Sequence, residues 1–328
     1  MKAAVAVLAV LVAACLLTLC VGVRPVAPSE IWQAFTAFDP ADPAHVTILS
    51  IRLPRLLAGL IAGASLGVAG SVMQALTRNP LADPGILGVS GGAALSVVLG
   101  SLFIGAADAG LTAALAFPGA AAASLAVVAL GGGLKGDAGP VRLTLAGMAL
   151  NALLLSAVSA VVLVRSDSLD VFRFWVNGSL AQAADRPLLA MGLVAGGAGL
   201  GALLLAPRLE VLLLGAALSR GLGLALVRTQ VAALLAITLL TGASVAVAGP
   251  IAFLGLMVPP MARRLAGHRM RFELFASAAL GASVLLLADT IGRLIIAPAE
   301  VRAGVMTALA GGPAFVWIAR RLASGARV

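Results

Sequence analysis

The sequence predicts an all-α, polytopic membrane protein with about ten transmembrane helices. Of its 328 residues, 61% are hydrophobic and only 11% are charged, whereas an ordinary soluble domain has about 25% charged residues. The mean hydropathy is +1.11. A helix needs about 20 apolar residues to cross a hydrocarbon core, and stretches of that length recur along the chain. These observations exclude a soluble fold and favour a single membrane domain over residues 1–328.

Charged residues, prolines and glycines separate the apolar stretches and mark the ends of the predicted spans. The first stretch could also be a signal peptide, and residues 12–15 (VAAC) resemble a lipoprotein cleavage box, but its length favours a first span. Cys15 and Cys20 both lie in it, which argues against a disulfide framework. In chain order the spans are 3–23, 52–77, 86–105, 111–130, 142–164, 187–206, 229–248, 250–266, 272–297 and 304–320.

Residues 209–227 are apolar enough to form an eleventh span. Glu210 and Arg220 would then be charged groups in the membrane, and Gly215, Gly221 and Gly223 would interrupt the helix. These features favour two short helices at the cytoplasmic surface. If the segment did cross the membrane, the orientation of everything after it would be inverted.

The distribution of basic residues predicts the orientation. With the amino terminus in the cytoplasm, 14 basic and four acidic residues lie inside, and eight basic and nine acidic residues lie outside. Both termini are therefore predicted to be cytoplasmic. The net charge of +9 reflects basic cytoplasmic loops, because the cations do not gather on one soluble face as in a nucleic-acid-binding domain.

The second span has Gly59, Gly63 and Gly67 at four-residue spacing. Such spacing lets a neighbouring helix approach closely. We expect packing inside the chain, with a seam between two chains as the alternative.

Motifs for catalysis are weak. Residues 88–92 (GVSGG) match the G-x-S-x-G turn of hydrolases, but their flanks are apolar, and His45 and His268 fall on opposite sides of the predicted membrane. Lys2 and Lys135 are the only lysines, and neither lies in a phosphate-binding loop. These features argue against an enzyme and against a cofactor bound by this chain, and they leave any ATP hydrolysis to a partner.

Charged residues near the outer ends of two spans are candidates for binding. Asp289 and Arg293 are four residues apart and share a helix face, so either they form an intrahelical ion pair or Arg293 docks a partner. Arg52 and Arg55 flank Pro54 at the predicted start of the second span. Cations at a helix amino terminus oppose the helix dipole, whereas attraction to an acidic partner would explain them.

Polar residues recur in the fifth span at Thr144, Asn151 and Ser159. Asn151 and Ser159 are candidates for lining a translocation pathway. Hydrogen bonding between helices is the alternative, and for Asn151 it is the favoured one.

A series of motifs runs through nearly the whole chain. They are 52–55 (RLPR), 73–74 (MQ), 78–88 (RNPLADPGILG), 145–147 (LAG), 174–175 (FW), 178–180 (GSL), 249–256 (GPIAFLGL), Asp289, Arg293, Glu300 and 312–313 (GP). Together they resemble the FecCD family of permeases for iron chelates, haem and cobalamin. Within that family, permeases of the ferric-enterobactin type are similar at 140–147, 228–230, 291–293 and 300–302.

The resemblance implies the ten-span, cobalamin-permease-like helical fold in a bacterial inner membrane. It implies a second permease subunit, identical or homologous, two cytoplasmic ATPase subunits and an extracytoplasmic substrate-binding protein. The implied substrate is an iron chelate, most simply a ferric siderophore. Haem or cobalamin is the alternative within the family, and an ATP-independent secondary transporter is the alternative outside it.

The resemblance also implies roles for particular residues. Arg52, Arg55 and Arg293 match arginines that meet acidic residues of the binding protein. The segment 208–228 matches the helices that couple to the ATPase, with Gly215, Arg220, Gly221 and Gly223 as its candidate residues. The chain departs from the family pattern at Ala216 and Ala217, where acidic residues are usual, and at Pro260, where histidine is usual.

Overall fold

Helices form nearly all of the regular structure, and no strand occurs in the residues that the computed structural model describes. These residues are 2–104, 109–132, 140–164, 176–267 and 269–325. Lys135, Phe174, Trp175 and His268 lie outside them. The longer helices are α1 (Lys2–Cys20), α2 (Pro28–Thr36), α4 (Leu53–Thr77), α5 (Val89–Ile104), α6 (Ala109–Leu130), α7 (Pro140–Val164), α8 (Leu188–Leu213), α10 (Leu226–Ala248), α11 (Leu254–Ala266), α12 (Met270–Ile295) and α13 (Ala303–Gly325).

The prediction of an all-helical membrane protein is confirmed. Six helices in the described part of the chain are long and apolar enough to cross a bilayer, and the shorter apolar helices Val89–Ser101 and Ala114–Leu130 accompany them. Helices α11 and α13 cover most of the predicted spans 250–266 and 304–320. The number of ten crossings stays a prediction.

The second span begins earlier than the sequence predicted. A five-residue helix α3 (Pro43–Thr47) runs into a π-helical turn, Ile48–Arg52, which continues into α4. The result is one helix over Pro43–Thr77. Pro54 has no N–H to donate to the preceding turn, and a π-turn is a common local adjustment in a helix. Arg52 and Arg55 therefore lie inside a continuous helix, so the argument from the dipole at a helix start does not apply to them.

Helix α4 is the centre of the bundle and packs closely on α12. A Cβ added to Gly63 would lie 2.5 Å from the carbonyl oxygen of Gly281, and one added to Gly67 would lie 2.0 Å from that of Ser277. The corresponding atom at Gly59 would meet Leu286 at 2.4 Å. The glycine spacing thus serves packing inside the chain, as expected.

The connection between α10 and α11 is irregular backbone. Helix α10 ends at Ala248, Gly249 has φ of 71° and Phe253 has φ of 66°. Helix α11 has 13 residues, or about 20 Å of length, whereas the hydrocarbon core is about 30 Å thick. The predicted eighth span therefore begins as an unwound segment. Neighbouring backbone lies against it, since a Cβ added to Gly178 would clash with the Pro250 carbonyl oxygen.

The segment 208–228 contains one short helix where two were expected. Helix α8 continues to Leu213, and only α9 (Ala216–Gly221) separates it from α10. A helix of six residues is much too short to cross a membrane. The first half of the predicted surface pair is the end of α8.

Candidate functional site

A compact ion cluster lies where α4, α12 and the loop after α12 meet. The Arg55 guanidinium donates from Nε and Nη2 to the two carboxylate oxygens of Asp289, both at 2.8 Å. Its Nη2 also lies 2.9 Å from Oε2 of Glu300. Such two-pronged contacts are among the strongest polar interactions in proteins. Arg55 thus joins a fully buried carboxylate to one at the surface, since the side chains of Asp289 and Glu300 are 0% and 34% exposed.

Arg293 completes the cluster from the next turn of α12. Its Nε lies 3.3 Å from Oδ2 of Asp289, as an i, i+4 ion pair. Its terminal nitrogens donate to the backbone carbonyls of Val21 at 3.0 Å and Thr18 at 3.3 Å. The predicted intrahelical pair is therefore present, but Asp289 is shared with Arg55.

Arg52 connects the same region to the end of α1. Its guanidinium donates to the backbone carbonyls of Leu19 and Arg24. The carbonyls near a helix carboxyl terminus lack partners within the helix and carry partial negative charge. This contact holds Arg52 without any carboxylate.

The structure thus brings together the three arginines predicted to dock a partner, but it buries them. Arg52, Arg55 and Arg293 are 5%, 7% and 7% exposed, so they do not form an exposed rim. Three cations face two carboxylates, which leaves a positive surplus that an acidic partner could neutralise. Sequence reasoning placed Glu300 in a motif without assigning it this contact.

Arg186 is a further cation that sequence reasoning missed. Two of its guanidinium nitrogens, Nε and Nη1, are buried without a hydrogen-bond partner in the described structure. Burial lowers the pKa of Arg186, and the neighbouring Asp185 partly opposes that effect. The residue follows the short 3₁₀ turn Ala183–Asp185, which packs on the π-turn that ends at Arg52.

The opposite end of the bundle exposes α9. Ser219 lies on the buried face of this helix, where its hydroxyl is 2.8 Å from the carbonyl oxygen of Val211 and 2.7 Å from that of Gly215. The contact with Val211 ties the helix to the end of α8. Arg220 is exposed beside Leu218 and Leu222. The two exposed leucines are four residues apart, so the surface around Arg220 is largely apolar.

The glycines predicted to shape the coupling segment differ in their conformations. Gly215 has φ of 101° and Gly223 has φ of 79°, a region that side chains rarely adopt. Gly221 lies in the last position of α9, and a Cβ added there would meet nothing within 4 Å. The backbone therefore requires glycine at 215 and 223 but not at 221.

A polar network that sequence reasoning missed anchors α11 near α9. Arg263 donates from Nε to Oε1 of Glu273 at 3.0 Å and from Nη2 to Oε1 of Gln74. The Gln74 amide nitrogen in turn donates to the carbonyls of Ala82 and Leu256, each at 3.2 Å. The network therefore joins α4, α11 and α12 at one end of the bundle.

The proposed pathway residues of α7 are not brought together. Asn151 is half-buried against α5, where a Cβ on Gly91 would lie 2.5 Å from its Oδ1. Ser159 is exposed and donates to the Leu155 carbonyl at 2.9 Å. Thr144 lines a cavity of about 270 Å³ with Thr77 and Asn79 of the α4 end. Among the described residues, no group of three or more His, Cys, Asp or Glu could hold a metal ion.

Comparison with known proteins assigns the chain to a family. The model of the FecCD transport family matches residues 10–321. The chain is a member of the FecCD transport family. The matched residues include the three buried arginines (Arg52, Arg55 and Arg293), the unwound segment 249–253 and α9. A FecCD protein with these helices is a multi-pass membrane protein.

Two curated FecCD relatives and one solved structure extend this result. The chain is 44% identical to the ferric enterobactin transport system permease protein FepD of Escherichia coli, covering 97% of this chain and 95% of that protein. It is 42% identical to the hemin transport system permease protein HmuU of Yersinia pestis, covering 83% of each. A solved inward-facing metal-chelate type ABC transporter is 26% identical with a TM-score of 0.81, covering 97% and 98% of the two chains.

Proposed function

We propose that this FecCD protein is the transmembrane permease subunit of an ATP-driven importer for iron chelates, with a ferric siderophore as its substrate. The observation that carries the proposal is the end-to-end similarity to a ferric enterobactin permease, at 44% identity over 97% of the chain. The chain itself performs no hydrolysis in this proposal. It provides the path, and a separate ATPase subunit supplies the energy.

The proposed assembly has two permease subunits, two ATPase subunits and one extracytoplasmic binding protein. The permease crosses a bacterial inner membrane ten times with both termini in the cytoplasm. The excess of basic residues on the side that carries α9 supports this orientation. The second permease subunit is either another copy of this chain or a homologue.

The arginine cluster is the proposed contact for the binding protein. Arg55 reaches the surface through Glu300, whose side chain is one-third exposed. An acidic residue of the binding protein would approach a site that already has one more cation than carboxylate. Complementary charge of this kind chiefly raises the rate of encounter and sets the orientation of docking.

The short helix α9 is the proposed contact for the ATPase. It is tied to α8 through Ser219 and presents Leu218, Arg220 and Leu222 to solvent. Gly215 lies next to Arg78, whose Nη1 would be 3.2 Å from a Cβ added there. Movement of α9 would therefore act directly on the ends of α8 and α4.

Reconstitution tests the proposal. The permease, its ATPase and its binding protein are placed in proteoliposomes loaded with ATP, and uptake of radioactive iron as ferric enterobactin is measured. We expect uptake that stops when the ATPase loses its phosphate-loop lysine. Uptake that instead follows a proton gradient without ATP would identify a secondary transporter.

Haem is the second candidate substrate because a hemin permease is 42% identical to the chain. Competition distinguishes the two substrates in the same proteoliposomes. Excess hemin should leave ferric enterobactin uptake unchanged if the siderophore assignment is right. Uptake of hemin alone would move the assignment to haem.

A further inference from the structure

The proposed transport function leaves the amphipathic helix α2 unexplained. It follows α1 and lies at the end of the bundle that holds the three buried arginines, since the backbone carbonyl of Arg24, just before α2, accepts a hydrogen bond from Arg52. Two large aromatic side chains of α2, Trp32 and Phe35, are 72% and 54% exposed. Phe38 follows just beyond the helix and is also exposed.

The inner face of α2 packs on the protein. Ala34 is buried with Val26 and Ile48, and Ile31 packs against the same cluster. At the helix start, Glu30 accepts a hydrogen bond from the Ala27 amide at 2.7 Å. The helix is therefore held in place by apolar contacts on one side and by its cap.

The exposed aromatic residues continue this apolar face around the helix. At about 100° per residue, Ala34, Ile31, Phe35 and Trp32 follow one another within an arc of about 160°. The remaining arc contains Ser29, Glu30, Gln33 and Thr36. Ala34 and Ile31, in one half of the apolar arc, therefore pack on the protein. Phe35 and Trp32, in the other half, are exposed next to that contact. The polar arc lies on the remaining side of the helix.

We propose that α2 lies in the membrane interface and inserts Trp32 and Phe35 among the headgroups and upper acyl chains of the lipid. An apolar half-arc next to the protein, with a polar arc opposite, is the geometry of a helix lying flat at the edge of a bundle. Tryptophan is enriched at this depth of the bilayer because its ring is amphipathic. Leu16 and Leu17, near the end of the preceding helix α1, are exposed as well.

Helix α2, anchored in lipid by Trp32 and Phe35, would act on the three buried arginines through Ile48. This residue is fully buried against α2 and lies one turn before Arg52. Lipid would hold α2, and α2 would hold the π-turn that positions Arg52. The anchor therefore sets the depth at which the cluster meets a partner.

Fluorescence of a single tryptophan tests the proposal. The chain has three tryptophans, so replacing Trp175 and Trp317 by phenylalanine leaves Trp32 as the only one. The full chain is placed in nanodiscs of phosphatidylethanolamine and phosphatidylglycerol, part of which carries bromine near the headgroup or near the chain end. We expect blue-shifted emission and a larger loss of intensity with bromine near the headgroup.

Two outcomes would overturn the proposal. One is emission at the wavelength of water-exposed tryptophan, quenched by iodide and insensitive to both brominated lipids. The other is protection from iodide only when purified binding protein is added, which would make the aromatic face a protein-docking surface. Neither outcome depends on whether the chain transports ferric enterobactin, so failure here leaves the proposed function standing.

A pair of variants tests the consequence for Arg52. Replacing Trp32 and Phe35 together by serine should speed hydrogen exchange of the amides at 48–52 in nanodiscs. The matched control replaces Ser29 and Gln33 by alanine on the polar arc and should leave that exchange unchanged. Equal exchange in the two variants would show that α2 needs no lipid contact to hold the π-turn.

Discussion

The ion cluster around Asp289 shows how single residues set both stability and binding at one end of the molecule. Burying a charge is costly unless it is paired. Asp289 is completely buried and is paired twice, with Arg55 and Arg293. The carboxylate therefore holds two cations in place, and its removal would leave both of them poorly compensated.

Asp289→Asn should lower the free energy of unfolding by about 3–5 kcal/mol, because it removes one partner of a buried ion group. Unfolding of the purified chain in detergent, followed by circular dichroism, measures this loss. Adding Arg293→Gln should recover part of it, since one uncompensated cation disappears. A single variant as stable as the parent would contradict the pairing.

Glu300→Gln should raise the association rate of the binding protein about three- to ten-fold at low salt, because it removes a like charge from the proposed contact and leaves the outer Arg55 nitrogen free for a partner carboxylate. Surface plasmon resonance on the permease in nanodiscs measures the rate. The control Asp185→Asn removes the same charge without touching Arg55 and should have a smaller effect.

An equal gain in the two variants would indicate a general charge effect instead of a contact at Arg55. Reversing the charge of Arg55 itself is a poor test of docking, because it would place a third negative charge beside buried Asp289. Glu300 is the better position for the docking test, because it can be changed without disturbing the buried pair of Arg55 and Asp289.

At the scale of the helices, close packing of α4 on α12 holds the bundle together. Their glycines let the two backbones approach within reach of each other's carbonyl groups. Helix α8 has several glycines as well, but a Cβ on Gly199 would meet nothing within 4 Å. Gly67 of α4 and Gly199 of α8 therefore form a matched pair: an added methyl group would clash at the first position and meet no atom at the second.

Gly67→Ala should destabilise the chain by about 1–3 kcal/mol, since the added methyl group would overlap the Ser277 carbonyl. Gly199→Ala should be neutral or stabilise it by up to about 1 kcal/mol, because alanine restricts the unfolded chain. Thermal unfolding of both variants in the same detergent is the measurement. Equal effects would show that the contact between α4 and α12 is looser than described.

Gly223→Val should lower uptake and transport-stimulated ATP hydrolysis together, because valine disfavours the left-handed backbone that turns α9 into α10. Gly221→Ala is the matched control and should retain both activities. Both rates are measured in the reconstituted transporter, with docking of the binding protein as a check on folding. Normal uptake and ATPase activity in Gly223→Val would remove the coupling role of the segment.

At the scale of the whole molecule, the buried charged groups described above lie at the two ends of an apolar bundle. Buried arginines gather at one end, and the Arg263 network and α9 lie at the other. Such segregation is expected where charge in the hydrocarbon core is expensive. It also places the two proposed partner contacts on opposite sides of the membrane.

Topology reporters test this arrangement. A reporter fused within 131–141 or after Val328 should report the cytoplasm, and one fused within 25–50 should report the outer side, because the basic residues lie mostly on the first side. Alkaline phosphatase and green fluorescent protein fusions give opposite signals for the two locations. An outer-side signal after Val328 would contradict the predicted orientation.

The sequence by itself determined the fold class, the family and the approximate positions of the long helices. These follow from hydrophobic length and from motifs, which are local properties of the chain. The close approach of α4 to another helix was also predictable, because glycine spacing on one helix face is visible in the sequence. Only the structure shows that these glycines of α4 contact α12 of the same chain and do not form a seam between two chains.

Only the tertiary structure decided which residues meet. Arg55 is far in sequence from both Asp289 and Glu300, as Gln74 is from Arg263, so no local pattern could pair them. The sequence predicted an acidic partner for Arg55 outside the chain, because it does not show that Asp289 lies against Arg55. Helix ends shifted for the same reason, since α8 extends to Leu213 and α11 begins only at Leu254, where packing against neighbouring helices outweighs local propensity.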